Sequence, residues 1–243
     1  FNCLLFCSIF LLGQKAFSTV LPFSTFVDGK VEMLDVTESS DREIAPLTKG
    51  DIIKSGEWIC TGPDSRFELS ANENIFYRGG SMTVVSFEHS NSFRLHSGSF
   101  IFCTKKKNSI FHIRSHDANA TFVGSGTILI EATSNGGFKF LPIEGRGTLV
   151  TDKGGVYNLQ SGRMILVLEQ PSTFGDAYDI DLLLLIKSCQ LLNSFPDALP
   201  TFGRISLAIY SQELRMKGRY EALIGDAPTN DNLQIWTFGD SSN

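Results

Sequence analysis

Four histidines, His89, His96, His112 and His116, fall in one stretch of the chain, and they are the residues whose chemistry is most easily imagined. His112 and His116 are spaced i to i+4, which on a helix would bring two imidazoles to one metal ion. On a strand the same four steps cover ~13 Å at about 3.3 Å per residue, too far for one ion. The surrounding residues alternate as a strand does, so the pair is read as solvated strand-face histidines. A cross-strand meeting of His96 with His112 is the remaining route to a metal, and a cupin-like metal enzyme is the chemistry that would follow.

Nucleophilic chemistry has little to work with. Cys60, Cys103 and Cys189 are widely spaced, which does not suggest a cysteine zinc site, and they read as small buried apolar residues whose pairing stays open. No Gly-x-Ser-x-Gly elbow is present. Glu68, Glu73, Glu88, Glu131 and Glu144 are scattered, and only the fold could bring two together as a glycosidase pair. Gly124-Ser125-Gly126 precedes a strand-like run instead of a helix, so it reads as a tight turn or bulge, not a phosphate loop. Lys105-Lys106-Lys107, next to Asn108, reads as a solvated hairpin tip. No catalytic, cofactor-binding or metal-ligating residue is assigned, no cofactor is expected, and the chain is read as a non-enzyme.

The elements that would position these residues are mostly strands. The 243 residues are 42% hydrophobic and 19% charged, enough for a core and too little charge for a disordered chain. A net charge of −5 argues against non-specific nucleic-acid binding. From Leu47 to Leu168, apolar and polar residues alternate and turn residues recur at short intervals. Phe93 and Leu95, Phe100 and Phe102, Phe111 and Ile113, Ile128 and Ile130, and Phe138 and Phe140 each share a strand face, giving one buried face and one wetter face. Hairpins are expected at Asn135-Gly136-Gly137 and Asp152-Lys153-Gly154-Gly155. A corner of an apolar residue, two polar residues, a glycine and a new apolar run recurs at Gly50, Gly98 and Gly162.

The C-terminal part changes character. Residues 179–193 are leucine-rich with acidic residues at the start, as a helix would have. Residues 204–217 read as a second helix, with Ile205, Ala208, Ile209 and Gln212 near one face and Gly218 as its C-cap. Leu233, Ile235, Trp236 and Phe238 read as a group that tethers the terminus. At the other end, Cys3 to Leu12 is a short uncharged apolar run followed by Ala16-Phe17-Ser18, the pattern of an export signal whose basic start is missing. No stretch is long enough to span a bilayer.

The block from Leu47 to Val167 resembles the FecR-like domain, named after the iron-dicitrate transport regulator. The likeness rests on Gly50-Asp51-Ile52-Ile53 leading to Cys60-Thr61-Gly62-Pro63-Asp64-Ser65-Arg66-Phe67-Glu68-Leu69, then on Leu95-His96-Ser97-Gly98-Ser99-Phe100-Ile101-Phe102. It closes on Gly126-Thr127-Ile128-Leu129-Ile130, Ile143-Glu144-Gly145 and Leu159-Gln160-Ser161-Gly162-Arg163-Met164, with Arg163 where the family has Gln. The resemblance covers half the chain and implies a periplasmic, all-β, non-catalytic module. It transfers Gly50, Gly98, Gly126, Gly145 and Gly162 as turn residues only. The best-known members carry a cytoplasmic anti-sigma segment and one transmembrane helix ahead of this domain. This sequence shows neither before its export signal, so sigma-factor regulation is not carried over.

The expected fold is all-β, a hairpin-rich β-sandwich or β-roll with two C-terminal α-helices. Residues 1–18 are taken as a truncated signal peptide, 19–46 as an N-terminal extension, 47–170 as the FecR-like domain and 171–243 as a helical segment. The expected function is an exported, periplasmic or secreted module for protein interaction or signal sensing in the cell envelope. Its partner would be an envelope or outer-membrane protein, bound through a strand edge or a sheet face, with no nucleic acid and no transmembrane span. The alternative is a carbohydrate-binding or carbohydrate-processing β domain, which would need Trp58, Phe76, Tyr77 or Trp236 exposed as a stacking platform.

Overall fold

Phe102 and Phe111 lie on one strand, nine residues apart. Straight, that strand would separate them by roughly 30 Å at about 3.3 Å per residue, yet their ring centroids are 4.9 Å apart. The strand folds back on itself, and the rest of the architecture follows from that fold. The computed structural model describes residues 21–36 and 44–224. The expected signal peptide and the Leu233–Phe238 group lie outside the described residues.

Three long strands carry the bend: β9 (Ser99–Arg114), β10 (Asn119–Ala132) and β11 (Phe138–Thr151). They pair antiparallel in chain order, joined by the expected Asn135-Gly136-Gly137 hairpin between β10 and β11. On one side of the bend β9 pairs with β6 (Ile75–Gly79), which pairs with β5 (Arg66–Asn72) and then β1 (Phe23–Asp28). On the other side it pairs, in parallel, with β8 (Ser92–Ser97). That wing continues through β7 (Val84–His89), β4 (Trp58–Thr61), β2 (Val31–Leu34) and β3 (Ile44–Pro46). The two halves of β11 also diverge: β12 (Gly155–Asn158) pairs with the far half, while β13 (Arg163–Leu168) pairs with the near half and carries β14 (Thr173–Asp179). The result is one folded sheet of all fourteen strands, a sandwich-like all-β fold as expected. Residues 23–34, assigned above to an extension, are strands of this sheet, and β14 continues it past residue 170.

The space between the wings is filled largely by phenylalanine. Tyr77 on β6 meets Phe87 and Phe93 of the opposite wing at 5.2 and 6.2 Å, and Phe122 on β10 meets both Phe102 and Phe140. Edge and tilted ring contacts of this kind add to the burial of each ring. The inward residues of each alternating strand are those named from the sequence: Phe93, Leu95, Phe100, Phe102, Phe111, Ile113, Ile128, Ile130, Phe138 and Phe140 are all buried.

The bend itself uses residues that were read differently. Between Gly124 and Gly126 the partner register jumps from Ser109 to Thr104, so Lys105, Lys106, Lys107 and Asn108 loop out of the ladder opposite Ser125. The lysine run is therefore an excursion inside a continuous strand, not a hairpin tip. Thr104 and Ser109 hydroxyls close its base at 3.0 Å, and Asn108 takes a left-handed φ of 55°. Gly126 and Gly145 are not turn residues either. They pair with each other in mid-strand, as Gly124 pairs with Gly147, because the folded backbones approach too closely for a side chain. A Cβ on Gly126 would sit 2.3 Å from the Glu144 carbonyl oxygen. The corner glycines Gly50, Gly98 and Gly162 do stand at left-handed φ, at 98°, 79° and 77°.

The outward faces of β6, β9, β10 and β11 are not wet where the helices cover them, although His112 and Arg114 at the far end of β9 are exposed. Ile101, Cys103 and Ile143 are buried beneath the C-terminal helices, so the expectation of one wetter face fails here. The first expected helix is shorter than residues 179–193 and is split. Asp179 still belongs to β14; α1 (Leu182–Ser188) begins after Asp181, whose carboxylate caps the Leu184 amide at 2.9 Å. Cys189 adopts an extended conformation, and a single turn, α2 (Gln190–Asn193), follows. The second, α3 (Phe202–Ile224), buries Ile205, Ala208 and Gln212 as expected but runs through Gly218, which is not its cap. A helical glycine costs only about 1 kcal/mol, too little to end a helix by itself. Among the described residues the C-terminal segment thus holds three helices instead of two.

Gly126→Ala should lower stability by about 1–3 kcal/mol or more, because it adds both strain at a positive φ and a collision. Gly203→Ala, on α3 with open space around it, should raise stability by about 0.5 kcal/mol. Urea denaturation of the two variants beside the parent protein checks both signs.

Candidate functional site

The helices are held to the sheet by a buried cation. Arg78 on β6 is fully buried beside Glu68 of β5, with which it forms an ion pair at 2.8 Å. Its remaining donors reach the helical segment: Nη1 donates to the Leu191 carbonyl at 3.2 Å and Nη2 to the Asp197 carbonyl at 2.5 Å. The Phe195 ring lies 4.1 Å from its guanidinium carbon. Thr25 of β1 donates to the other oxygen of Glu68 at 2.9 Å. Burial pulls the Arg78 pKa down and the Glu68 carboxylate opposes it.

A second polar row lies under α3. Cys103, Thr127 and Glu144 are cross-strand neighbours on β9, β10 and β11, and Thr201, at the start of α3, sits over them. Thr127 donates to Glu144 at 3.0 Å. Each hydroxyl has one proton, so Thr201 donates to Thr127 at 2.5 Å and Cys103 to Thr201 at 3.5 Å. The chain of donors ends on Glu144, whose pKa burial pushes up, with the Thr127 hydrogen bond and Arg204 opposing.

Glu144 forms part of the wall of a groove of about 600 Å³ that runs along the outside of the sheet's bend, beneath α3. Each wall comes from a feature already described. The looped-out segment of β9 brings Lys105 and Lys107, the β11 bend brings Arg146, and α3 brings Arg204 and Arg215. Arg215 bonds the Ser161 carbonyl and Asp179, both at 3.3 Å, fixing α3 to the corner before β13. Gln212 adds a second staple, donating to the Ile180 carbonyl and accepting from the Leu182 amide. Gly162 leaves the room this needs, since a Cβ there would lie 2.2 Å from the Gln212 amide nitrogen. Lys105, Lys107, Arg146 and Arg204 form no ion pair among the described residues. Sequence reasoning missed this groove. Its signal was two Gly-x-Gly triplets, 124–126 and 145–147, each enclosing one polar residue, which face one another as Ser125 opposite Arg146.

The other residues named from the sequence are dispersed. Opposite His112 on the parallel neighbour stands Ser92, not His96. His96 instead stacks on Trp58 at 4.0 Å and bonds Ser86 at 3.0 Å, and burial lowers its pKa. His96 and His116 line a second groove of about 610 Å³, but among the described residues no three His, Cys, Asp or Glu side chains are placed to share a metal ion. Glu88 pairs with Arg114 and Glu131 with Lys139. Cys60, Cys103 and Cys189 are unbridged, and burial raises all three thiol pKa values, which disfavours the thiolate a nucleophile needs. Of the aromatic residues proposed as a stacking platform, Tyr77 lies in the core and Phe76 packs against the cluster under the helices. Trp58 is occupied by His96, and Trp236 lies outside the described residues.

Two stability tests follow. Arg78→Met leaves Glu68 without its cation and should cost about 3–5 kcal/mol, most of it regained when Glu68→Leu is added. For Glu144 the folded pKa lies above its ordinary value of 4.5, so folding is helped by proton uptake. Its contribution is fully present below pH 4.5 and is lost as the pH rises through the raised folded value. Glu144→Gln should therefore melt above the parent protein at neutral pH, with the difference closing as the pH falls to 4.5. A pH series of melting temperatures reads this directly.

Compared with protein-family models, curated proteins and solved structures, the chain gives no significant match to any of them.

Proposed function

We propose that this chain is a non-catalytic, FecR-like module of the cell envelope, exported to the periplasm or secreted, that binds a protein partner for interaction or signal sensing. The observation that carries the reading is the groove beneath α3. It is large enough for a ligand and lined by five cations, of which Lys105, Lys107, Arg146 and Arg204 form no ion pair among the described residues. The raised pKa values of the cysteine thiols favour binding over covalent chemistry. The export-like N-terminal pattern and the ordered FecR-like motifs support the compartment and the class.

A strand-adding partner has a place to bind as well. β14 ends the sheet path, with β13 as its neighbour on that path. Asp176 on β14 is exposed and discourages pairing between two copies of the chain, because like charges across a ladder repel. The groove remains the primary site, since the outer sheet face beside it is sealed by the helices.

A photo-crosslinking residue placed at Ser211, exposed on the groove wall, should capture one cell-envelope protein, identified by mass spectrometry, in cells that make the full chain. The same residue at Lys49, exposed and outside the groove, should not. Identical adducts from both positions, or none from Ser211, would count against the reading.

A further inference from the structure

The composition and length of the groove narrow what fits it. Its cations come from three separate elements, β9, β11 and α3, and the α3 wall runs from Arg204 to Arg215. Arg204 and Arg215 alone are separated by eleven residues of α3, about 16 Å at 1.5 Å per residue. A single small anion cannot span that distance, whereas an extended chain with repeated negative groups can. Against the five cations the wall presents one carboxyl, Glu144, which is buried and already accepts from Thr127.

The wall contains no aromatic side chain. Single-stranded nucleic acid is held by stacking its bases on aromatic rings, and sugar rings are commonly held in the same way. A peptide needs no such platform. The remaining wall, with Ser161 and Ser211 beside Leu207 and Ala208, offers both hydrogen-bonding groups and apolar contact to an extended backbone and its side chains. Arg146 and Arg204 can each grip a carboxylate through two parallel N–H bonds, and Lys105 and Lys107 add point charges.

We infer that the groove beneath α3 holds an extended, carboxylate-rich peptide segment of a protein partner, with Lys105, Lys107, Arg146 and Arg204 as its recognition residues. The groove wall that α3 provides, from Arg204 to Arg215, has room for about five extended residues at about 3.3 Å each. This inference rests on the binding-module reading, whose partner it describes chemically. Arg215 shapes the groove instead of recognising the segment, because it is already engaged by Ser161 and Asp179.

The test uses the purified full chain and fluorescein-labelled hexaglutamate, read by fluorescence anisotropy at about 50 mM salt, where charges are weakly screened. Binding is expected, and it should weaken as salt is raised. The double reversal Arg146→Glu/Arg204→Glu should weaken it about tenfold or more, and Arg146→Glu alone, which keeps the Arg204 charge near Glu144, should weaken it in the same direction with the melting temperature unchanged, since Arg146 is exposed and forms no ion pair among the described residues. The reversal Lys49→Glu/Lys187→Glu, outside the groove, should leave binding intact. Absence of binding, or equal binding by the Arg146/Arg204 variant, overturns the inference. Tighter binding of oligogalacturonate or of oligo-dT than of hexaglutamate overturns the assignment to a protein segment. If hexaglutamate fails while Ser211 still captures an envelope protein, the acidic segment is wrong and the module reading stands. If hexaglutamate binds through Arg146 and Arg204 while Ser211 captures nothing, the ligand class stands and the envelope reading falls.

Discussion

A guanidinium with no access to water constrains the whole helical side of this protein. Arg78 can remain charged under the helices only while Glu68 neutralises it and the carbonyls of Leu191 and Asp197 accept its other donors. Those two carbonyls belong to the segment between α1 and α3, so the path of the chain out of the sheet is set by the needs of one side chain within it. Apolar burial of Leu182, Leu191, Leu192 and Ile205 supplies most of the adhesion. It is not directional, however, and could accept neighbouring registers. The hydrogen bonds to Arg78 select one, and that register lays α3 along the bend and closes the groove.

The bend imposes the complementary constraint from the sheet side. Three strands turning together must bring their backbones close, which admits only glycine at Gly124, Gly126, Gly145 and Gly147. The residue between each glycine pair, Ser125 or Arg146, lines the groove on the outside of the bend. At the corner β9 places four residues, three of them lysines, opposite the single Ser125 of β10. A geometric necessity of the folded sheet thus concentrates positive charge on its convex side, where α3 adds two arginines.

Much of the sheet was legible in the sequence because its inward residues obey a period of two and its corners carry glycine. Phe100 and Phe102 lie inside as their alternation requires, and Gly50, Gly98 and Gly162 adopt the left-handed φ that a corner needs. The failures share one cause, which is that alternation reports a local face and not what later covers it. Ile101 points away from the face of Phe100 and Phe102, yet it is buried, because a helix a hundred residues further on packs over it. The bend was hidden for the same reason. Nothing local separates a glycine in a turn from a glycine opposite another glycine in mid-strand, and only the pairing of Gly126 with Gly145 distinguishes them. The groove was illegible because its cations come from Lys105, Lys107, Arg146, Arg204 and Arg215, scattered over half the chain.

The charge balance gains meaning from this geometry. The chain carries a net charge of −5, yet the groove holds five cations and one buried carboxyl. The groove is therefore opposite in sign to the chain as a whole, and it attracts an acidic partner. Such a field does little for raw affinity at physiological salt, where charges beyond a Debye length of about 8 Å are screened. It acts on orientation instead, because an acidic segment is drawn toward the groove before short-range contacts form. Leu207 and Ala208 can then supply contact that is insensitive to salt, once the segment has entered. Steering by the cations and holding by the apolar wall are separate physical tasks, and the α3 side of the groove contributes residues to both.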